Sequence, residues 1–191
     1  MKRIALFMIA GVALLLLQNC KKSSTDTSTD TTTATVSYGL LATVNGVTWA
    51  PDTLSANITY NAAKKTKTLN FTGTYLQKRL TGAVTINNAD NTNNFPLGNN
   101  NIDAINTTLL YSEYQKGATG VYAFVPVTTG GSGDGSIIIS SIDPVKGLIS
   151  GSFTCSTKKN IYDSNGNIVS IVSTIVTGGY ISDMPYTFVS N

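Results

Sequence analysis

The chain of 191 residues contains no histidine and only two cysteines, Cys20 and Cys155. Glu113 is its one glutamate and Trp49 its one tryptophan. Without histidine the commonest general base and the commonest metal ligand are both missing. Charged side chains make up 12% of the sequence, against about 25% in an ordinary globular chain. A basic face able to grip phosphates is therefore missing, which argues against nucleic acid as a partner. Helical periodicity is also missing beyond a turn or two. Ser, Thr, Asn and Gly occupy the space left by charge, a composition suited to a turn-rich β protein of the extracytoplasmic kind.

The first segment is of another character. Met1-Lys2-Arg3 is a short positive stretch, and residues 4–17 form a nearly unbroken apolar run. At about 14 residues the run suits a signal-peptide core and falls short of the ~20 needed to span a bilayer. Leu17-Gln18-Asn19-Cys20 resembles a bacterial lipobox, with Gln18 and Asn19 departing from its small-residue positions. The expectation is a lipoprotein signal peptide at 1–19 and lipidation of Cys20 as the first mature residue. Each buried CH₂ adds ~0.8 kcal/mol to membrane affinity, so the two or three acyl chains of such an anchor hold far more firmly than one. The net charge of the whole chain is +3, and loss of Lys2 and Arg3 leaves the mature chain near neutral.

Residues 20–36 are rich in Ser, Thr and Asp and nearly devoid of apolar side chains. They cannot bury enough surface to offset the entropy of ordering, so a disordered tether is expected. Asp30-Thr31-Thr32 resembles a short O-glycosylation signal of envelope proteins. Lys21-Lys22-Ser23-Ser24 follows the lipidation site where an acidic surface-export signal would stand, so both faces of an outer membrane stay open.

From residue 37 to 191 the pattern alternates with period two, with turn signals every 8 to 14 residues. The expectation is a single all-β domain of about nine or ten strands, folded as an antiparallel β-sandwich, with a closed lipocalin-like barrel as the alternative. Asn45-Gly46 predicts a tight hairpin turn between 40–44 and the strand carrying Val47 and Trp49. Strands are expected over 54–60, 69–75, 80–86, 107–114, 120–127, 136–141, 148–156 and 168–180. The Asn-rich tract 87–101 lacks periodicity and reads as a long loop, a candidate binding element or a plain surface excursion. Lys64-Lys65-Thr66-Lys67 reads as a solvated turn flanked by edge lysines. Gly178-Gly179 permits a bulge or close backbone approach.

Motifs that could carry chemistry fall away on inspection. The glycine-rich run 130–135 lacks the Gly-Lys-Ser/Thr ending of a phosphate loop, and no helix follows it. Asp163-Ser164-Asn165-Gly166-Asn167 has its glycine at the fourth position, where a calcium loop needs it at the sixth. Neither a cofactor nor a metal is expected. Cys155 falls on the same strand face as Ile149, Gly151 and Phe153, alternating with Ser and Thr, and reads as a small buried hydrophobe rather than a nucleophile. Most of the aspartates stand in turns. Glu113 is the exception, an acid in a strand, and on an inward face it would be unusual.

Several motifs together resemble a family of uncharacterised Bacteroidota lipoproteins. Ala42-Thr43-Val44-Asn45-Gly46-Val47-Thr48-Trp49 matches its Asn-Gly-x-x-Trp opening. Gly135-Ser136-Ile137-Ile138-Ile139, then Ile149-Ser150-Gly151-Ser152-Phe153, and last Thr177-Gly178-Gly179-Tyr180 through Pro185-Tyr186 match its later strands. The resemblance implies an outer-membrane lipid anchor and supplies no activity. The functional expectation is a non-enzymatic envelope module that binds a glycan, a small ligand or a protein, with Trp49 and Tyr75 as candidate ligand contacts. A structural or assembly lipoprotein acting only through protein partners is the alternative.

Overall fold

A computed structural model describes residues 39–116, 120–129 and 134–191. The expected signal peptide, the Cys20 lipidation site and the tether lie outside the described residues. The described residues form twelve strands. The first five are β1 (Gly39–Val44), β2 (Val47–Trp49), β3 (Thr53–Asn61), β4 (Thr66–Tyr75) and β5 (Lys78–Ile86). Then come β6 (Gly98–Asn101), β7 (Thr107–Lys116), β8 (Tyr122–Thr129) and β9 (Gly135–Asp143). The long pair β10 (Leu148–Tyr162) and β11 (Ile168–Pro185) precedes a short terminal β12 (Thr187–Ser190).

The strands form two faces of a β-sandwich. One has the order β12-β3-β4-β5-β7-β8, the other β6-β9-β10-β11-β1-β2. A single ladder pair, Lys158 with Thr129, links them through β10 and β8. The hydrogen-bonded order ends at β12 and β2 without closing, so the barrel alternative is set aside. All pairings are antiparallel except β12 with β3, which is parallel. The strands beyond the expected number include β6 and β12, which are short and too polar or too brief to show an alternating pattern.

The alternation read from sequence is the alternation of burial. In β4, Lys67, Leu69, Phe71 and Gly73 point inward, and in β5 Leu80, Gly82 and Val84 do so. At the centre, Phe71 from one sheet meets Phe153 from the other, with ring centroids 5.6 Å apart. Each ring lies on a glycine of the neighbouring strand. Phe71 pairs with Gly82 and Phe153 with Gly179, and a Cβ at either glycine would overlap the ring. Gly178 (φ +56°) accompanies a register shift in the β1–β11 pairing. The expected close approach at Gly178-Gly179 is therefore present.

Two expectations need correction. Lys67 is not part of a solvated turn. It is 2% exposed, and its ammonium donates to Asp90 Oδ1 (3.1 Å), Thr92 Oγ1 (3.3 Å) and the Asn94 carbonyl (2.9 Å). The turn holds only Lys64 and Lys65 of the basic run, and β4 begins at Thr66. Nor is 87–101 all loop: β6 lies within it and pairs with β9. The tract crosses between the sheets and closes one end of the sandwich, with Phe95 and Ile102 buried in the core. A buried ammonium is tolerable when each donor finds an oxygen, and Lys67 meets that condition by taking its partners from the crossing segment.

Three turns are tied by aspartates. Asp103 Oδ1 accepts N–H groups from Thr107, Ile105 and Asn106 (2.7–2.9 Å). Asp143 and Asp163 serve their turns in the same way. These bonds favour the ionised form and hold all three carboxyls below the usual range, chiefly through Thr107, Lys146 and Asn167 respectively.

Two outcomes follow. Phe153→Ala removes one ring of the central pair and should lower unfolding stability by about 3–5 kcal/mol in urea titrations; a change below 1 kcal/mol would contradict the central role of the contact. A folded-state pKa below the unfolded value of about 3.9 stabilises the native state above that pH and ceases to do so as pH falls. Melting temperature should therefore hold from pH 7 to 5 and drop below about pH 4. The deficit of Asp103→Asn at pH 7 should narrow at pH 3.

Candidate functional site

The end of the sandwich opposite the Lys67 seal holds a cleft of about 990 Å³. The register explains how it is lined. Tyr75 pairs with Lys78, and Lys78 pairs with Glu113. The inward parity of β4, β5 and β7 runs through Phe71–Gly73, Leu80–Gly82 and Leu109–Tyr111. The same parity carries Tyr75, Lys78 and Glu113 onto the inner face. These three residues therefore form one cross-strand row, where directly opposite side chains have Cβ atoms roughly 5 Å apart. The rows nearer the centre are apolar; this last one is aromatic and charged.

The other walls come from the facing sheet. Asn45, Val47 and Trp49 contribute from the β1–β2 hairpin, and Val172 to Thr174 from β11. The Asn45-Gly46 turn forms as expected, with φ of 49° and 81°. Asn45 also clips the hairpin to β11: its N–H donates to the Ile175 carbonyl, and its Oδ1 accepts the Ile175 N–H, both at 2.8 Å.

Trp49 is 5% exposed. Its ring edge lies over Gly73, where a Cβ would stand 3.0 Å from Cη2. It is thus a core residue that also lines the cleft, and its buried indole Nε1 has no hydrogen-bond partner among the described residues. Tyr75 is 43% exposed. Tyr111 is buried behind it, and its phenol is shifted above the ordinary tyrosine value by burial first and the Glu113 charge second. Glu113 is half-buried and is the one carboxylate that lines the cleft. Although Lys78 is its ladder neighbour, the ion pairs among the described residues are Lys67–Asp90 and Lys146–Asp143. Both cleft charges are thus left without an ion-pair partner.

Strain marks the rim. Leu76 and Gln77 form the turn between β4 and β5. Leu76 takes φ of 52°, a conformation that costs an L-residue about 1–2 kcal/mol and usually falls to glycine or asparagine. Its side chain is 73% exposed beside the cleft. The same left-handed conformation recurs at Lys65, Ala104 and Asp183, away from the cleft, so it is not particular to the cleft.

The structure thus brings Trp49, Tyr75 and Glu113 to one cleft. Lys78 and Tyr111 join them without any signal in the sequence taken alone; pairing the strands in register would have found both. Cys155 lies elsewhere, buried in the core, with its thiol pushed up to about 11 by burial and by the Asp134 charge. Among the described residues no cluster of three or more Cys, Asp or Glu side chains could hold a metal ion. Comparisons of the chain with family models, curated proteins and solved structures give no match.

The thiol provides a direct check on the core assignment. In the native protein at pH 8, Cys155 should react with a thiol reagent no faster than the domain unfolds, and react fully in denaturant. Rapid native-state labelling would contradict its place in the core.

Proposed function

We propose that the protein is an envelope lipoprotein, anchored to the outer membrane through Cys20, whose β domain is a non-catalytic binding module. Its ligand is a saccharide or a similarly built small molecule, held in the cleft between the β1–β2 hairpin and the Tyr75–Lys78–Glu113 row. The observation that carries this reading is the convergence of three aromatic side chains with one carboxylate and one ammonium in a cavity of about 990 Å³. That volume lies near the upper end of the ~300–1,000 Å³ common to ligand pockets.

The donor and acceptor inventory selects the ligand class. Ionised Glu113 only accepts, while Lys78 and the Trp49 indole only donate. An amine alone would leave the donors unmet, and an acid alone would leave Glu113 unmet. Hydroxyl groups do both, and the C–H face of a sugar ring packs on an aromatic surface such as Tyr75. The non-catalytic reading is supported by the same inventory. Glycoside hydrolysis uses two carboxyl groups, whereas the cleft offers Glu113 alone, and the chain supplies no histidine.

A second reading, an assembly lipoprotein working through protein partners, is favoured by one observation. The outer part of β11 exposes Ile168, Val169, Ile171 and Val172.

Trp49 is the sole tryptophan, so its fluorescence reports on the cleft directly. Titration of the mature protein with neutral oligosaccharides should give a saturable emission change. Glu113→Gln should weaken binding by about tenfold or more, the scale of one hydrogen bond to a charged group. Tyr75→Ala should weaken it as well. A flat response across neutral, acidic and amino sugars, confirmed by calorimetry, would overturn the saccharide reading.

A further inference from the structure

The sheet of β12, β3, β4, β5, β7 and β8 distributes its charge unevenly between its two faces. Glu113 is the one acid in these six strands, and it is turned inward to the cleft. Of their cations, Lys67 is buried and Lys78 lines the cleft. Arg79 and Lys116 have the opposite parity, since successive side chains of a strand point to opposite faces. The outer face of these strands therefore carries positive charge alone.

Aromatic rings gather around the same two cations. Tyr114 stands directly opposite Phe124, and Lys116 opposite Tyr122, so all four share the outward parity of β7 and β8. The Tyr114 ring lies 5.2 Å from that of Phe124 and 5.9 Å from that of Tyr122, centroid to centroid. Arg79 reaches across from β5 and sets its guanidinium 3.7 Å from the Phe124 ring centroid. Its Nε donates to Thr74 Oγ1 at 3.3 Å. Stacking on the ring and the bond to Thr74 together fix the plane of the guanidinium. Its Nη groups have no hydrogen-bond partner among the described residues, where the ion pairs are Lys67–Asp90 and Lys146–Asp143. Asp52, whose N–H donates to the Thr74 carbonyl, forms no ion pair with it. Tyr114 is 43% and Tyr122 60% exposed.

We infer that this outer face is a second binding site, separate from the cleft, for an acidic polysaccharide whose sugar units carry carboxylates. A uronate chain joins the two chemistries present here. The free side of the Arg79 fork matches a carboxylate in a bidentate pair, and the C–H face of an adjoining sugar packs on Tyr114 and Tyr122. Lys116, opposite Tyr122, supplies a second positive charge for a further carboxylate. A neutral sugar would leave Arg79 unmet. A nucleic-acid strand calls for a basic groove that follows successive phosphates, and two cations beside three rings do not form one. The chain's own residues 21–36 hold two acids, Asp26 and Asp30, but no aromatic ring. They could meet the cations and would leave Tyr114 and Tyr122 bare.

The test is calorimetric titration of the full-length protein, in non-ionic detergent, with polygalacturonate oligomers, which should bind saturably. Arg79→Lys keeps the charge and loses the planar fork. It should weaken binding by about tenfold or more, the scale of a charge-assisted hydrogen bond. Tyr122→Ala removes an exposed ring and should weaken binding severalfold while leaving the melting temperature unchanged. Lys64→Gln, which removes a charge from the exposed β3–β4 turn, should leave the affinity as it was. Absence of binding, an Arg79→Lys affinity equal to the parent's, or equal losses in Arg79→Lys and Lys64→Gln would each overturn the outer site. So would tighter binding of a single-stranded oligonucleotide of matched charge. A loss on Tyr75→Ala with none on Arg79→Lys would put the polymer in the cleft and overturn it as well.

Discussion

The contact between Phe71 and Phe153 is the constraint on which the rest of the sandwich depends. Each ring needs a bare backbone beneath it, and Gly82 and Gly179 supply it from the adjacent strand of each sheet. With both seats in place the two rings touch across the interior and fix the separation and register of the sheets together. A side chain at either glycine would lift its ring and force the sheets apart, since a close-packed interior has no spare volume to absorb the change.

On either side of that contact the two ends of the sandwich are finished differently. One is sealed by the 87–101 crossing, pinned by a buried lysine that trades hydration for three oxygen partners. The other is left unsealed. There the inward positions of β4, β5 and β7 change from apolar residues to Tyr75, Lys78 and Glu113, and the β4–β5 turn places Leu76 in a strained conformation. Core packing gives no reason to end three strands with a charged pair and a tyrosine on the inner face. On the proposed reading, a bound molecule supplies hydrogen bonds to the buried indole N–H and to the Glu113 and Lys78 heads.

Much of this architecture was legible from alternation and turn chemistry. Asn45-Gly46 and the inward sets of β4 and β5 follow from period-two patterning, as does the burial of Cys155. What escaped depends on partners distant in sequence. Lys67 reads as solvent-facing until Asp90, Thr92 and Asn94 are folded over it. The pairing of β6 with β9 and the parallel pairing of β12 with β3 are non-local and carried by short, polar or terminal segments. The cleft was half legible. Trp49, Tyr75 and Glu113 each stood out by residue type, but only the register through Lys78 places Tyr75 and Glu113 in one row.

The cleft as the ligand site is the central claim, and backbone amide chemical-shift mapping tests it most directly. With a saturating neutral oligosaccharide, the largest shifts should fall on Asn45 to Ala50, Tyr75 to Lys78, Tyr111 to Glu113 and Val172 to Thr174, all around the 990 Å³ cavity. The sealed end near Lys67 and Phe95 should stay unchanged. Shifts clustered on an outer sheet face, or spread evenly over the domain, would contradict the account.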